Sequence, residues 1–352
     1  MCGTMPRRVL FLDANRGSQR IVVGGVRVRS ENGAKTMARS RRLTCVLLTL
    51  SSSLLLGTTC SGDFFFSITF IKPDKAESTE TQTAELSAGT PVRITNDIGS
   101  TRVTVDPNAT EATIQILRTA LANSTAEAEE LLDAMTVTMT PAVGDEDPLV
   151  IHAVRPPDAT GDSAHFQATI TEDEINVVAI LGSVSVATYR LRITLPPGHE
   201  VELVQEVGEV RVVGLDAPSA VTARAGSVRS VAGEAELNVA VSAGSARVLS
   251  HRGSLSLDLE AGSAYVDLVS LAAADSVNVR TEAGDIDILL PADVSALLRA
   301  RADAGRVRFR VADFHSATSV TASRTRVAAT LGAGGPPIDL RALAGNIDIR
   351  SF

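Results

Sequence analysis

Asp285 and Asp287 stand two residues apart in Gly284-Asp-Ile-Asp-Ile288, a spacing that puts both carboxylates on one side of a strand, about 7 Å apart. Paired acids cleave glycosidic bonds when a second acid faces the first across the substrate. The surrounding sequence supplies no facing acid, so the pair reads as a solvated face. His152, His165, His199, His251 and His315 are scattered singly, with no metal-ligand spacing and no partner cysteine. Gly332-Ala-Gly334-Gly335-Pro336-Pro337 is rich in glycine but opens no helix, which makes it a loop and not a phosphate cradle. The Gly-Gly-x-Gly-x-Asp repeats of calcium-binding β-rolls are missing. The expectation is no catalytic residue, no metal site, no cofactor and no enzymatic activity.

Cys60 is a candidate of another kind. From Met37, Arg39, Arg41 and Arg42 precede an uncharged apolar stretch, Leu43–Leu56, closed by the small residues of Gly57-Thr58-Thr59-Cys60. Residues 37–60 thus have the layout of a secretory signal. They resemble a bacterial lipoprotein signal, which implies that Cys60 carries the lipid anchor. The competing reading is an uncleaved anchor from Leu43 to Gly62. Residues 1–36 precede the signal and are expected to be a mis-assigned start or disordered. Residues 61–87 read as a tether through Thr79-Glu-Thr-Gln-Thr83. Its apolar run Phe64–Ile71 fits a strand or a patch beside a membrane.

Charge follows the same division. Residues 1–59 hold ten Lys and Arg against two Asp and Glu, leaving 23 basic and 39 acidic residues from Cys60 onward, a balance of −16. So acidic an exported part opposes nucleic-acid binding. Of the three cysteines only Cys60 would remain after cleavage, so no internal disulfide is expected. Aromatic residues make up 3% with no Trp, so a core must be built from Val, Leu, Ile and Ala.

The third candidate, Arg211, Arg229 and Arg247, depends on a repeat. Ala-Gly pairs end at Gly226, Gly244, Gly262, Gly284, Gly305 and Gly345, and Gly208 begins the series; the intervals are 18, 18, 18, 22, 21 and 40 residues. The last interval divides if Thr325 occupies a hidden glycine slot. Apolar residues alternate on both sides of each glycine, but their phase changes by one residue across it, as in Leu255, Leu257, Leu259 against Ala264, Val266, Leu268. A phase change at a fixed point in a strand is a corner that keeps both apolar sets inside, with a small alanine beside it. Residues 201–352 are therefore predicted to be a β-solenoid, single-stranded and β-helix-like, of about 7–8 rungs in an all-β chain. Three positions after each corner the outward residues are Arg211, Arg229, Arg247, Tyr265, Asp287, Arg308, Ala328 and Asp348. Arginine over arginine is unfavourable unless something offsets it. Neighbouring acids such as Glu209 are one answer, and an anion-binding strip is the other.

Residues 88–200 read as a small β-rich segment with one helix, in front of the array. Pro91–Val105 alternates with a turn at Asn96-Asp97, Ala112–Leu117 is a strand, and Ser124-Thr-Ala-Glu127 makes a capping box that opens the helix Ala126–Met135. Met135–Thr140, Leu149–Val154, Ile175–Leu181 and Val184–Leu195 are further strands. The strand Tyr189-Arg-Leu-Arg-Ile-Thr-Leu-Pro-Pro-Gly198, followed by Gly208-Glu-Val-Arg-Val and Gly284-Asp-Ile-Asp-Ile, resembles the family of exported bacterial proteins described as putative adhesins, over residues 88–352. The resemblance implies a fold and an adhesin or interaction role in the cell envelope, at a membrane facing the periplasm or the cell surface, and no catalytic residues. The partner expected is a protein or polysaccharide of the envelope. The other readings are a structural envelope component and a polysaccharide-active β-helix enzyme, which would need a groove of acids, histidines and aromatics that the sequence does not show.

Overall fold

A computed structural model describes residues 8–13, 19–25, 66–70, 73–142, 147–157, 167–170, 175–178 and 185–352. It divides into two units, Met1–Lys72 and Pro73–Phe352. In the first, Arg8–Asp13, Gln19–Gly25 and Phe66–Phe70 pair as an antiparallel sheet. Two of these strands fall in the segment before the signal, and the third lies within Phe64–Ile71. The signal, 37–60, and Cys60 lie outside the described residues, as does His165.

Among the described residues the second unit is all-β apart from one helix and a short 3-10 turn; nineteen of its strands belong to one sheet, and Gln167–Ile170 and Ile175–Val178 pair separately as an antiparallel two-stranded sheet. Its organising feature is a parallel ladder. Val201–Val213 pairs with Ser219–Val231, which pairs with Leu237–Arg252, each residue opposite the one 18 places on: Gly208 faces Gly226 and Gly226 faces Gly244. Pairing lapses beside each corner, at Glu206 and Arg224, and there the buried side changes from Leu203 and Gln205 to Val210 and Val212. The outward residue at the corner is the one expected inside: Val207 is 41% exposed, and Ala243 and Ala261 also face solvent. The crowding lies between rungs instead. Gly244 has φ +145°, and a Cβ built there would sit 1.6 Å from the Gly226 carbonyl oxygen, so no side chain fits in the stack.

The ladder begins earlier in the chain than its repeats. Val92–Val105 is one continuous strand without the turn expected at Asn96-Asp97, and it pairs with Val201–Val213 so that Gly99 faces Gly208. Asn96 is buried in it, donating to Thr101 Oγ1 at 3.0 Å; Thr101 in turn donates to Gln205 Oε1 at 2.8 Å. These two bonds hold in the strand a residue that sequence rules assign to turns, although Asn96 Oδ1 itself has no hydrogen-bond partner among the described residues. Segment 88–200 therefore contributes a rung as well as a cover. Leu149–Val154 pairs in parallel with the first half of Val92–Val105, and Ser185–Leu195 with the second. Tyr189 faces Gly99 and its hydroxyl donates to Val154 O at 2.5 Å, tying the two covering strands together. Burial pushes that phenol up to about 12.

Ser185–Leu195 also pairs with Ala112–Ala122, which pairs with Asp74–Ala84. The expected tether is thus partly an edge strand; its polar side chains face water while its backbone completes the sheet, so no apolar alternation marked it. Thr125–Ala134 is the helix, with Ser124 Oγ accepting from Glu127 N at 3.3 Å, and it buries Ala128 and Leu131.

At the other end, spatial order departs from chain order. Pro337–Ala344 lies between Val277–Ala283 and Ala296–Ala304, paired in parallel with both, and Ile347–Ser351 lies between Ile286–Leu290 and Val307–Phe309. The corners therefore stack as Gly284, Gly345, Gly305. Thr325 is no corner. Arg326–Leu331 runs antiparallel to Ala296–Ala304 and to Ala317–Ala322, and Ser323 Oγ accepts from the backbone N–H of Thr325 and Arg326 at 3.4 and 3.1 Å, turning the chain there. A seryl turn at that point competes with continuing the repeat.

Candidate functional site: two arginine columns

Residues at equal distance from their corners line up across the ladder. Arg211 faces Arg229 and Arg229 faces Arg247, as the repeat predicts, and the first rungs extend the column: Arg192 faces Arg102, and Arg102 faces Arg211. Five arginines stand in register, about 4.8 Å from strand to strand. Arg192, Arg229 and Arg247 are exposed, while Arg102 and Arg211 are half-buried. Among the described residues neither Arg192 nor Arg229 makes an ion pair. A concavity of about 290 Å³ opens at the Arg192 end, between Arg102, Arg192, Gln115 and Thr113. At the other end Arg247 lies over the Tyr265 ring, 5.3 Å from its centroid, a cation–π contact.

Beyond Tyr265 the column changes sign. Asp287 and Asp348 follow, then Arg308. Asp287 is bonded by the Arg350 guanidinium, with Nε 3.2 Å away, and Asp348 lies 3.9 Å from Arg308. Asp285 is committed too, accepting from Asn346 N at 2.7 Å. Ala328 leaves this column and faces Arg299 instead.

A second column stands before the corners. Arg280 faces Arg341, Arg341 faces Arg301, and Arg301 faces Arg326 across the antiparallel pair. Together with Arg299 they line a cleft of about 620 Å³. Asp303 binds Arg301 and accepts from Arg341 at 3.2 Å, and the Arg301 hydrogen bond first of all holds its carboxyl below the usual range. Sequence reasoning missed this column because its members lie 61, 40 and 25 residues apart in the chain; the inserted strand and the antiparallel strand bring them together.

The four described histidines do not converge. His199 Nδ1 is 2.9 Å from Thr90 O, His251 is buried with Nε2 3.1 Å from Ser254 O, His152 lies 4.0 Å from Asp97, and His315 is exposed. No group of three His, Cys, Asp or Glu able to hold a metal occurs among the described residues, and no described helix is long and apolar enough to cross a membrane.

No family model matches the chain, and no curated protein does. Several solved structures are similar. A putative cell adhesion protein from Clostridium sporogenes shares 13% identity, with a TM-score of 0.34 over 80% of this chain and all of its own. A putative adhesin from Bacteroides fragilis shares 10% identity, with a TM-score of 0.34 over 77% of this chain and 97% of its own. Superposition at that score does not establish a common fold, so function has to be argued from the chain's own geometry.

Proposed function

We propose that the chain is an exported, lipid-anchored envelope protein with an adhesin-like, non-enzymatic role, and that the arginine column of its ladder binds an acidic polysaccharide. The observation that carries this reading is the register of Arg192, Arg102, Arg211, Arg229 and Arg247 on one face. Stacked guanidinium groups repel one another, and a polyanion laid along the column would offset that repulsion at Arg192 and Arg229, which make no ion pair among the described residues. Planar guanidinium forks suit carboxylates in particular. The ladder is proposed to wind as a solenoid, a reading supported by the chain's return, in parallel register, 18 residues on. Such a winding repeats one contact at a fixed rise, which suits a polymer.

Binding of the full chain to immobilised acidic and neutral glycans tests the proposal. Replacing Arg192, Arg229 and Arg247 by Gln is expected to weaken acidic-glycan binding about tenfold or more and to flatten its salt dependence, with stability changed by less than about 0.5 kcal/mol. A wild-type chain that ignores acidic glycans at low salt defeats the proposal. For the anchor, expression from Met37 in a bacterial host supplied with labelled fatty acid should label the protein, and Cys60→Ser should abolish the label. Persistent label in the variant would move the anchor elsewhere.

A further inference from the structure

We propose that the cleft beside the inserted strand is a second binding site, which takes a short acidic oligosaccharide or the end of a longer one, independently of the open column. Its walls are Val277–Ala283, Pro337–Ala344 and Ala296–Ala304 in parallel, closed by the antiparallel strand Arg326–Leu331. Its volume, about 620 Å³, falls in the range of pockets that hold small ligands, roughly 300–1,000 Å³. The open column has no enclosure of that size.

Charge selects the ligand. Arg280, Arg341, Arg301 and Arg326 stand on adjacent strands, so four guanidinium groups span about 14 Å at steps of about 4.8 Å. Arg280 is paired with Glu282 at 3.3 Å, and Arg301 and Arg341 share Asp303. Arg326 and Arg299 make no ion pair with any described residue. With Asp339 included, five cations meet three carboxylates, leaving a positive surplus in a concavity of a chain whose net charge is −8. A concave surface focuses such a surplus on an entering anion.

The other lining groups separate a saccharide from other anions. Asn278, Asp339 and Thr321 offer amide, carboxylate and hydroxyl groups, the means of holding sugar hydroxyls, beside the guanidinium groups that hold sugar carboxylates. An acidic peptide fits the column less well. Extended, it presents side chains to one face every two residues, about 6.6 Å apart, out of step with guanidinium groups about 4.8 Å apart. Ala328, opposite Arg299, contributes only a methyl group to the cleft, so the space there is open to ligand.

Calorimetric titration of the full chain with a short oligouronate, the matching neutral oligosaccharide and an oligoglutamate tests the site. The oligouronate should bind, and the neutral sugar and the peptide should bind at least about tenfold more weakly. Arg299→Gln with Arg326→Gln should cost at least about tenfold in oligouronate affinity, since both side chains are exposed and unpaired and their loss should leave the melting temperature in place. Ala328→Glu, which puts a competing carboxylate opposite Arg299 without replacing an arginine, should do the same. Arg229→Gln with Arg247→Gln should remove only oligouronate binding by the open column and leave the affinity and stoichiometry of the cleft unchanged, which separates the two sites. No oligouronate binding by the wild type, unchanged affinity in both cleft variants, loss of cleft binding in the open-column variant, or equal binding of the oligoglutamate each overturns the proposal.

Discussion

The rungs at Gly208, Gly226 and Gly244 follow one another in space as in the chain, whereas those at Gly284, Gly345 and Gly305 are out of order because the last strands enter between two that precede them. Both regions use the same corner and the same alternation of buried and exposed residues. They differ in how their columns are assembled. In the ordered region a column is a sequence pattern written at an 18-residue interval, with Arg229 and Arg247 exposed and Arg211 half-buried between its neighbours. In the inserted region a column joins four distant segments, one antiparallel, and the arginines enclose a cleft. A repeat therefore makes a surface, and breaking its order makes a pocket.

Removing the inserted strand is expected to have the largest effect. Termination after Gly335 deletes Ile338, Leu340, Ile347 and Ile349, each at most 2% exposed, and leaves the facing edges of four strands without partners. Burial of four such side chains is worth on the order of 6–12 kcal/mol, comparable to the whole stability of a domain. In a ladder that loss stays local. Hydrogen exchange should show protection lost in Val277–Ala283 and Ala296–Ala304 but kept in Val201–Val213. Equal protection, or equal loss, in both regions would erase the distinction between them.

Corner glycines should matter equally in both regions. A Cβ would meet the preceding rung's carbonyl oxygen at 1.6 Å in Gly244 and at 1.9 Å in Gly345, with φ of +145° and +153°. Gly244→Ala and Gly345→Ala should each cost about 3 kcal/mol or more, because the obstructing atom is backbone and φ is unfavourable as well. Gly198→Ala, with φ +82° but no atom within 4 Å of its Cβ, should cost only about 1 kcal/mol. Thermal unfolding of the three variants checks this. A mild Gly345→Ala would mean that the inserted rung is loosely stacked.

What the sequence disclosed follows from the same contrast. The corner positions, the phase change and the Arg211, Arg229, Arg247 register were legible because each recurs at a short interval. The capping box at Ser124 was legible because it is local, and the helix begins where it points. Arg102 and Arg192 were not, because their strands carry no neighbouring repeat; Gly99 in Ile98-Gly99-Ser100 was the available signal, and the Asn96-Asp97 pair beside it suggested a turn. The polar edge strand Asp74–Ala84 buries almost nothing and so has no alternation to read. The cleft was hidden for a stronger reason: Thr325 fits the repeat spacing, but a local seryl turn reverses the chain there. Periodicity alone could not weigh one against the other.

His251 marks where the regular region gives way, and its titration offers the smallest and most local test. Pairing between Leu237–Arg252 and Ala264–Ser270 slips between Val248 and His251, the first departure from the 18-residue register. The side chain is fully buried beneath Gly233, where an added Cβ would come within 2.8 Å of Nδ1. Burial pushes its pKa down; the Ser254 carbonyl and the Asp275 charge act in the opposite direction without reversing the shift. Above the unfolded value of about 6.5 the imidazole is neutral in both states and contributes no pH dependence. As pH falls below about 6.5 the unfolded chain takes up a proton that the folded chain refuses, so stability should decline until the lower folded pKa is passed. Each unit of that shift corresponds to about 1.4 kcal/mol. Melting temperatures of the wild type and of His251→Gln, measured at pH 7 and pH 5, should converge toward the acid side as the variant loses this part of the slope. Hydrogen exchange at pH 5 should show the loosening first in the Leu237–Arg252 and Leu255–Ala261 strands and last in the cleft. An unchanged pH slope in the variant would show that the slip in register is simple geometry, and that the boundary between the two regions carries no acid sensitivity of its own.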